Sequence, residues 1–144
     1  MSQPMKISKV FRWEMGHRLP NHEGKCRNVH GHSYKLEVVI EGTPIHDGMI
    51  IDFYDISKAV KPLIEELDHA FMVQESDAEL MEYLKKNDMK RVVIPVPSTV
   101  ENLCIWFADR IAPTFNDYDN VSSFMVRINE TENSTAELIR SCPA

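Results

Sequence analysis

The chain has 144 residues, 43% of them hydrophobic, which suffices for one domain over residues 1–144 with a core of its own. Its formal net charge of −6 gives nucleic acid or an acidic membrane no general attraction, and no run approaches the ~20 apolar residues of a bilayer span. Three cysteines, Cys26, Cys104 and Cys142, are odd in number and irregularly spaced, which argues against a disulfide framework and for a reducing compartment. From Met1 to Lys6 there is no charged-then-apolar secretory pattern, so a cytoplasmic protein is expected.

Residues 5–17 alternate as a strand does, with Ile7, Phe11, Trp13 and Met15 on one face and His17 in phase with them. A loop from Arg18 to Val29, containing Cys26, leads to a second strand. There Tyr34, Leu36, Val38 and Ile40 share a face with His30 and His32, which stand ~6.5–7 Å apart along the chain. Gly31 leaves the opposite face open to close approach. A hairpin of these two strands brings His17, His30 and His32 together, while His22 and His46 read as solvated turn residues.

Gly42 to Gly48 is rich in turn signals, and Met49-Ile50-Ile51 reads as a short strand. Asp52 caps a helix carrying Ile56, Val60, Leu63, Ile64 and Leu67, with a kink or restart expected at Pro62. Ser76 and Glu79, at capping-box spacing, open a second helix to Asn87 built on Leu80 and Leu84. Arg91 to Val96 is a strand. Ser98-Thr99-Val100-Glu101 is a further capping box, before a helix with Leu103, Cys104, Phe107, Ala108 and Ile111 that Pro113 closes. Val121 to Asn129 is the last strand, and the phase of Phe124, Val126 and Ile128 carries on to Glu130. The order β-β-α-α-β-α-β predicts an α+β domain, with helices covering one face of an antiparallel sheet.

An H-x-H pair alone is a weak signal, and the in-phase third histidine turns it into a candidate metal site. Three neutral imidazoles with an open fourth position are the pattern of a catalytic zinc site, whereas structural sites usually have four protein ligands. Cys26 is then either a fourth ligand that closes the site or a thiolate base beside the metal, favoured by the cation and by Lys25 and Arg27. Cys104 reads as a small core residue and Cys142 as part of a frayed tail. Asp68-His69 reads as an acid–base pair, the carboxylate fixing the imidazole tautomer, or as a helix end with a favourable C-terminal histidine. Glu130 is a strand-end carboxylate in solvent or an acidic group on a buried face.

His17, Cys26-x3-His30-Gly31-His32, Gly48-Met49-Ile50-Ile51-Asp52-Phe53, Leu67-Asp68-His69, Ser98-Thr99-Val100-Glu101-Asn102 and Glu130-Thr131 occur in one order. That order resembles the 6-pyruvoyl-tetrahydropterin synthase / 6-carboxytetrahydropterin synthase family, from about Phe11 to Thr131. The three residues between Cys26 and His30 resemble the bacterial 6-carboxytetrahydropterin synthases of queuosine biosynthesis, since the pyruvoyl enzymes typically have a longer gap. The chain departs from the family at Glu14-Met15-Gly16, where small residues are common, and in its helix at 76–87, an insertion relative to the shortest members.

The resemblance implies the T-fold, a four-stranded antiparallel sheet with helices on one face, assembled as a homohexamer of two trimers with shared sites. It implies a zinc-dependent lyase that converts 7,8-dihydroneopterin triphosphate to 6-carboxy-5,6,7,8-tetrahydropterin, acetaldehyde and triphosphate. Zinc on His17, His30 and His32 would polarise the substrate side chain. Cys26 would remove a carbon-bound proton, and His69, oriented by Asp68, would shuttle protons. Glu130 would accept two hydrogen bonds from the pterin ring, and Thr99 would line its pocket. Arg18, Lys25 and Arg27 are the candidate cations for the triphosphate. The alternatives are pyruvoyl formation or another side-chain cleavage on the same fold, an H-x-H oxygenase of the cupin type, and a non-catalytic zinc- or pterin-binding module. Five glycines and three helical patterns count against a cupin.

Overall fold

Alternation of apolar residues produces the two long strands that organise everything else. In the computed structural model, which describes residues 3–143, β1 spans Met5–His17 and β2 spans His30–Gly42. They pair antiparallel from Met5↔Gly42 to His17↔His30. Between them a single 3-10 turn, Lys25–Arg27, carries Cys26. Then follow α1 (Phe53–Leu67), β3 (Ala70–Gln74), α2 (Ala78–Lys86), β4 (Arg91–Ile94), α3 (Val100–Phe115), β5 (Val121–Thr131) and β6 (Ser134–Ser141). No helix is long and apolar enough to cross a membrane among the described residues.

The sheet order is β4-β3-β1-β2-β5-β6. Four strands, β1, β2, β5 and β6, are antiparallel, as expected for the fold class. The sheet is wider than expected, because β3 joins β1 in parallel and β4 joins β3 in parallel. Neither β3 nor β6 is expected from the sequence, where the first segment reads as the continuation of a helix end and the second as a tail. β3 is buried on both faces: Ala70 and Met72 enter the main core, and Val73 packs with Leu80 and Leu84 of α2. Helices α1 and α3 therefore cover one face, and α2 covers the other at β3 alone.

The main core lies between α1, α3 and the inward residues of β1, β2 and β5. Trp13 stacks on Tyr34 with ring centroids 5.0 Å apart, and Phe107 of α3 meets Trp13 at 5.4 Å. Burying side chains of this size is worth about 1.5–3 kcal/mol each, which is what holds the helices on the sheet. At the end of β1, a Cβ on Gly16 would lie 2.8 Å from the Phe71 ring, so only glycine allows β3 this close.

Several local expectations are corrected. Helix α1 does not restart at Pro62 but runs on as one element, and Pro62 is exposed, so the carbonyl that loses its intrahelical donor is open to water. Helix α3 continues past Pro113 to Phe115, whose side chain is fully buried. Met49-Ile50-Ile51 is not a strand. Its Met49 makes an isolated bridge to His46, and Asn120 Nδ2 donates to the Ile50 carbonyl at 2.8 Å. Asp77, not Ser76, caps α2, accepting from the Leu80 amide at 3.2 Å. Thr99, not Ser98, caps α3, accepting from the Asn102 amide.

Candidate metal and substrate site

His17 and His30 are direct cross-strand partners, and His32 faces Met15 in the next same-face row, so three imidazoles crowd one end of the sheet. One ligand atom from each lies within 4.8 Å of the others. Their ring centroids are 4.7, 5.2 and 4.8 Å apart. In His17, Nδ1 is 2.8 Å from the Ser98 carbonyl oxygen and 3.1 Å from the Ser98 hydroxyl, and in His30 Nδ1 is 2.6 Å from the Asn28 carbonyl oxygen. The Nε2 atoms of His17 and His32 are buried with no hydrogen-bond partner. Orphaned buried nitrogens cost free energy unless something else satisfies them, and a cation held by imidazole lone pairs does so. The donor set therefore fits a metal ion.

Electrostatics agrees with that fit. Burial lowers the His17 pKa to about 4, against a smaller upward pull from its bond to Ser98, and His30 and His32 lower it further. Burial also lowers His32, while Glu130 opposes it. Neutral imidazole is the ligating form.

Glu130 is not in free solvent. It ends the inward phase of β5, with its side chain 21% exposed and Oε1 3.5 Å from His32 Nε2. Tyr34 lies under the same cluster, its ring centroid 5.5 Å from that of His32, and burial followed by the Glu130 charge raises its hydroxyl's pKa. Cys26 is half-buried in its 3-10 turn, and its carbonyl accepts from the Leu19 amide at 2.8 Å. It is not part of the three-imidazole group, which disfavours a closed four-ligand site. Thr99 uses its hydroxyl on the α3 cap, while Glu101 is exposed.

Asp68 and His69 do bond each other, with Oδ1 3.0 Å from Nδ1. The Glu14 amide also donates to Asp68 Oδ1 at 2.9 Å and is the main reason that this carboxyl is held below the usual range, with His69 adding to it. His69 has φ +60°, and its side chain is 77% exposed. It borders a shallow cavity of about 350 Å³ with Glu14, Met15, Gly16, Gly31, His32, Ser33, Ala70 and Phe71. Glu14, Gly16, Gly31 and Ser33 have the opposite phase to His17, His30 and His32, and although His32 also lines this cavity, His69 is not in the three-imidazole group.

Arg18, a triphosphate candidate, is already engaged by acidic partners. Its guanidinium holds Asp77 through bonds of 2.7 and 2.6 Å, and that pair keeps the Asp77 carboxyl below its ordinary range. Lys25 and Arg27 are exposed. Ser98, buried against His17, is not evident as a site residue from sequence, because a serine beside a helix start reads first as a cap.

A family model described as 6-pyruvoyl tetrahydropterin synthase matches residues 6–141. The chain belongs to that family. Among relatives of this pterin-synthase family, the 6-carboxy-5,6,7,8-tetrahydropterin synthase of Haemophilus influenzae is 35% identical, over 92% of this chain and 96% of its own. The enzyme of that name from Aquifex aeolicus is 33% identical over the same shares. In fold the chain is similar to an uncharacterized protein from Wolinella succinogenes, with TM-score 0.79, 22% identity, and 95% and 98% of the two chains covered. It is likewise similar to the 6-pyruvoyltetrahydropterin synthase of Plasmodium vivax, with TM-score 0.76, 18% identity, and 96% and 99% covered. This is a lyase of the pterin-synthase family, with an α+β T-fold and a three-histidine cluster that could hold a metal.

Proposed function

We propose that the chain is a zinc-dependent 6-carboxy-5,6,7,8-tetrahydropterin synthase, acting on 7,8-dihydroneopterin triphosphate and releasing acetaldehyde and triphosphate. The observation that carries the metal part is the buried Nε2 of His17, which has no partner, in a group where one ligand atom from each of His17, His30 and His32 lies within 4.8 Å of the others. His17, His30 and His32 would hold zinc, which supplies Lewis-acid polarisation of the substrate's side-chain oxygens. The carboxy-forming branch is supported by the names of the relatives above 30% identity and by the three residues between Cys26 and His30.

The chain's own groups divide the remaining work. Glu130, half-buried beside the cluster, accepts hydrogen bonds from the pterin N–H and amine, and Thr99 lines the ring pocket. Cys26, in the turn before β2, takes the proton from the substrate side chain as thiolate. Lys25 and Arg27 flank it and receive the triphosphate. His69 moves protons between carbon and oxygen, with Asp68 fixing its Nδ1–H. Because His69 is 77% exposed and stands outside its own chain's three-imidazole group, it serves a neighbouring copy's cluster, in a cytoplasmic homohexamer with shared sites.

The test is to supply zinc-loaded protein with dihydroneopterin triphosphate and identify the products by mass. Carboxytetrahydropterin with acetaldehyde is the expected result. A pyruvoyl or hydroxymethyl pterin would move the chain to another branch of its family, and zinc-bound, folded protein without turnover would overturn the proposal.

A further inference from the structure

We infer that Ser98 is a positioning residue for the three-imidazole centre. It selects the His17 tautomer whose Nε2 is unprotonated, and it holds the aim of that ring. His17 ends β1, and only its Nδ1 has hydrogen-bond partners: the Ser98 carbonyl oxygen at 2.8 Å and the Ser98 hydroxyl at 3.1 Å. A carbonyl oxygen can only accept, so Nδ1 carries the proton and Nε2 is left with its lone pair. The hydroxyl accepts from the same N–H and donates its own proton to the Arg18 carbonyl, 3.4 Å away. His17 is 1% exposed and Ser98 3%, so water does not compete for these bonds. The other tautomer would bury an N–H at Nε2, where no acceptor stands, and would turn a bare Nδ1 toward the Ser98 carbonyl oxygen.

The fold delivers Ser98 to this place. It stands one residue ahead of Thr99, whose hydroxyl already caps α3, so Ser98 is free to serve β1. The same strand end is gripped twice more, by the Asp77 clamp on Arg18 and by Phe71 against Gly16. The ring thus has a fixed base and a fixed tautomer before any metal arrives. This inference rests on reading the imidazoles as metal ligands and adds that affinity depends on a residue that never touches the metal.

The test begins with unaltered, metal-free protein labelled with ¹⁵N at histidine. A long-range proton–nitrogen spectrum should show His17 protonated at Nδ1 and bare at Nε2. A proton on Nε2, or an even mixture, overturns the inference, and this reading needs neither zinc binding nor turnover. Ser98→Ala keeps the carbonyl acceptor, so it should leave His17 protonated at Nδ1 but, having lost the hydroxyl that holds the ring's aim, weaken zinc binding about tenfold in a chelator competition, with the unfolding temperature of the metal-free protein little changed. Ser98→Thr, which restores the hydroxyl, should recover the affinity. Native-like zinc affinity in Ser98→Ala would sink the assignment.

Discussion

Neutral imidazoles bind metal and protonated ones do not, so the burial that prepares His17 for ligation also ties the protein to pH. With a pKa of about 4 in the fold against 6.5 unperturbed, the folded chain refuses a proton that the unfolded chain accepts throughout that window. Stability is therefore full above pH 6.5, declines as the pH falls, and has lost about 3 kcal/mol by pH 4 from this residue. Urea unfolding of metal-free protein at pH 7 and pH 4 measures the drop. In His17→Gln it should shrink by that amount, and an unchanged drop would place the acid sensitivity elsewhere. The catalytic candidates separate from the ligands by similar logic. Cys26 stands outside the imidazole group, so Cys26→Ala should keep zinc and fold and lose turnover about 10²–10⁴-fold. Loss of metal together with fold would instead make Cys26 a fourth ligand. His69 holds φ +60°, which costs a non-glycine residue about 1–2 kcal/mol. His69→Gly should leave the urea midpoint unchanged or raised while turnover collapses. Retained turnover would mean that its imidazole does no chemistry.

The element that most needs explaining is α2, whose N-cap does two jobs. Asp77 accepts from the Leu80 amide and grips Arg18 bidentately, with its side chain only 3% exposed. Asp77→Ala removes the cap and leaves a partly buried guanidinium without its partner, for a loss of about 2–4 kcal/mol in urea unfolding. A loss below about 1 kcal/mol would show that α2 is held only by Leu80 and Leu84 against Val73. The sequence disclosed elements with a clear period and missed those without one. β1, β2 and β5 each bury one face, so their alternation was legible, and it brought three histidines into phase. β3 is five residues buried on both faces, so it has no alternation to read. β6 is an exposed edge strand whose inward positions are Ala136, Leu138 and Arg140, and the last of these breaks the apolar pattern. The caps slipped by one residue each, because Ser-Asp and Ser-Thr offer two capping side chains and tertiary contacts decide between them. Ser98 went to His17 because β1 ends beside α3, and no local pattern in the sequence encodes that proximity.

At the scale of the whole molecule, the sheet separates groups that the proposed chemistry needs together. Strand phase sends His17, His30 and His32 to one face, while His69, 77% exposed, stands outside their group and borders a cavity lined by opposite-phase residues such as Gly16 and Gly31 as well as by His32. Moving His69 to the cluster within one chain would require breaking the Asp68 bonds to Glu14 and His69 and the start of β3. A second copy can present its own His69 without breaking anything, which is why the homohexamer belongs to the proposal rather than beside it. Complementation between two inactive variants tests this directly. Cys26→Ala chains retain His69, and His69→Ala chains retain Cys26. If each site draws these residues from different copies, co-assembled mixtures in equal parts should regain about one quarter of native turnover, the chance that a site receives both intact groups. Variants assembled separately and mixed only in the assay should stay inactive. Should co-assembly restore nothing, with hexamers formed and zinc bound, each chain would have to build its site alone, and the assignment of His69 to the proton shuttle would fall with the shared site.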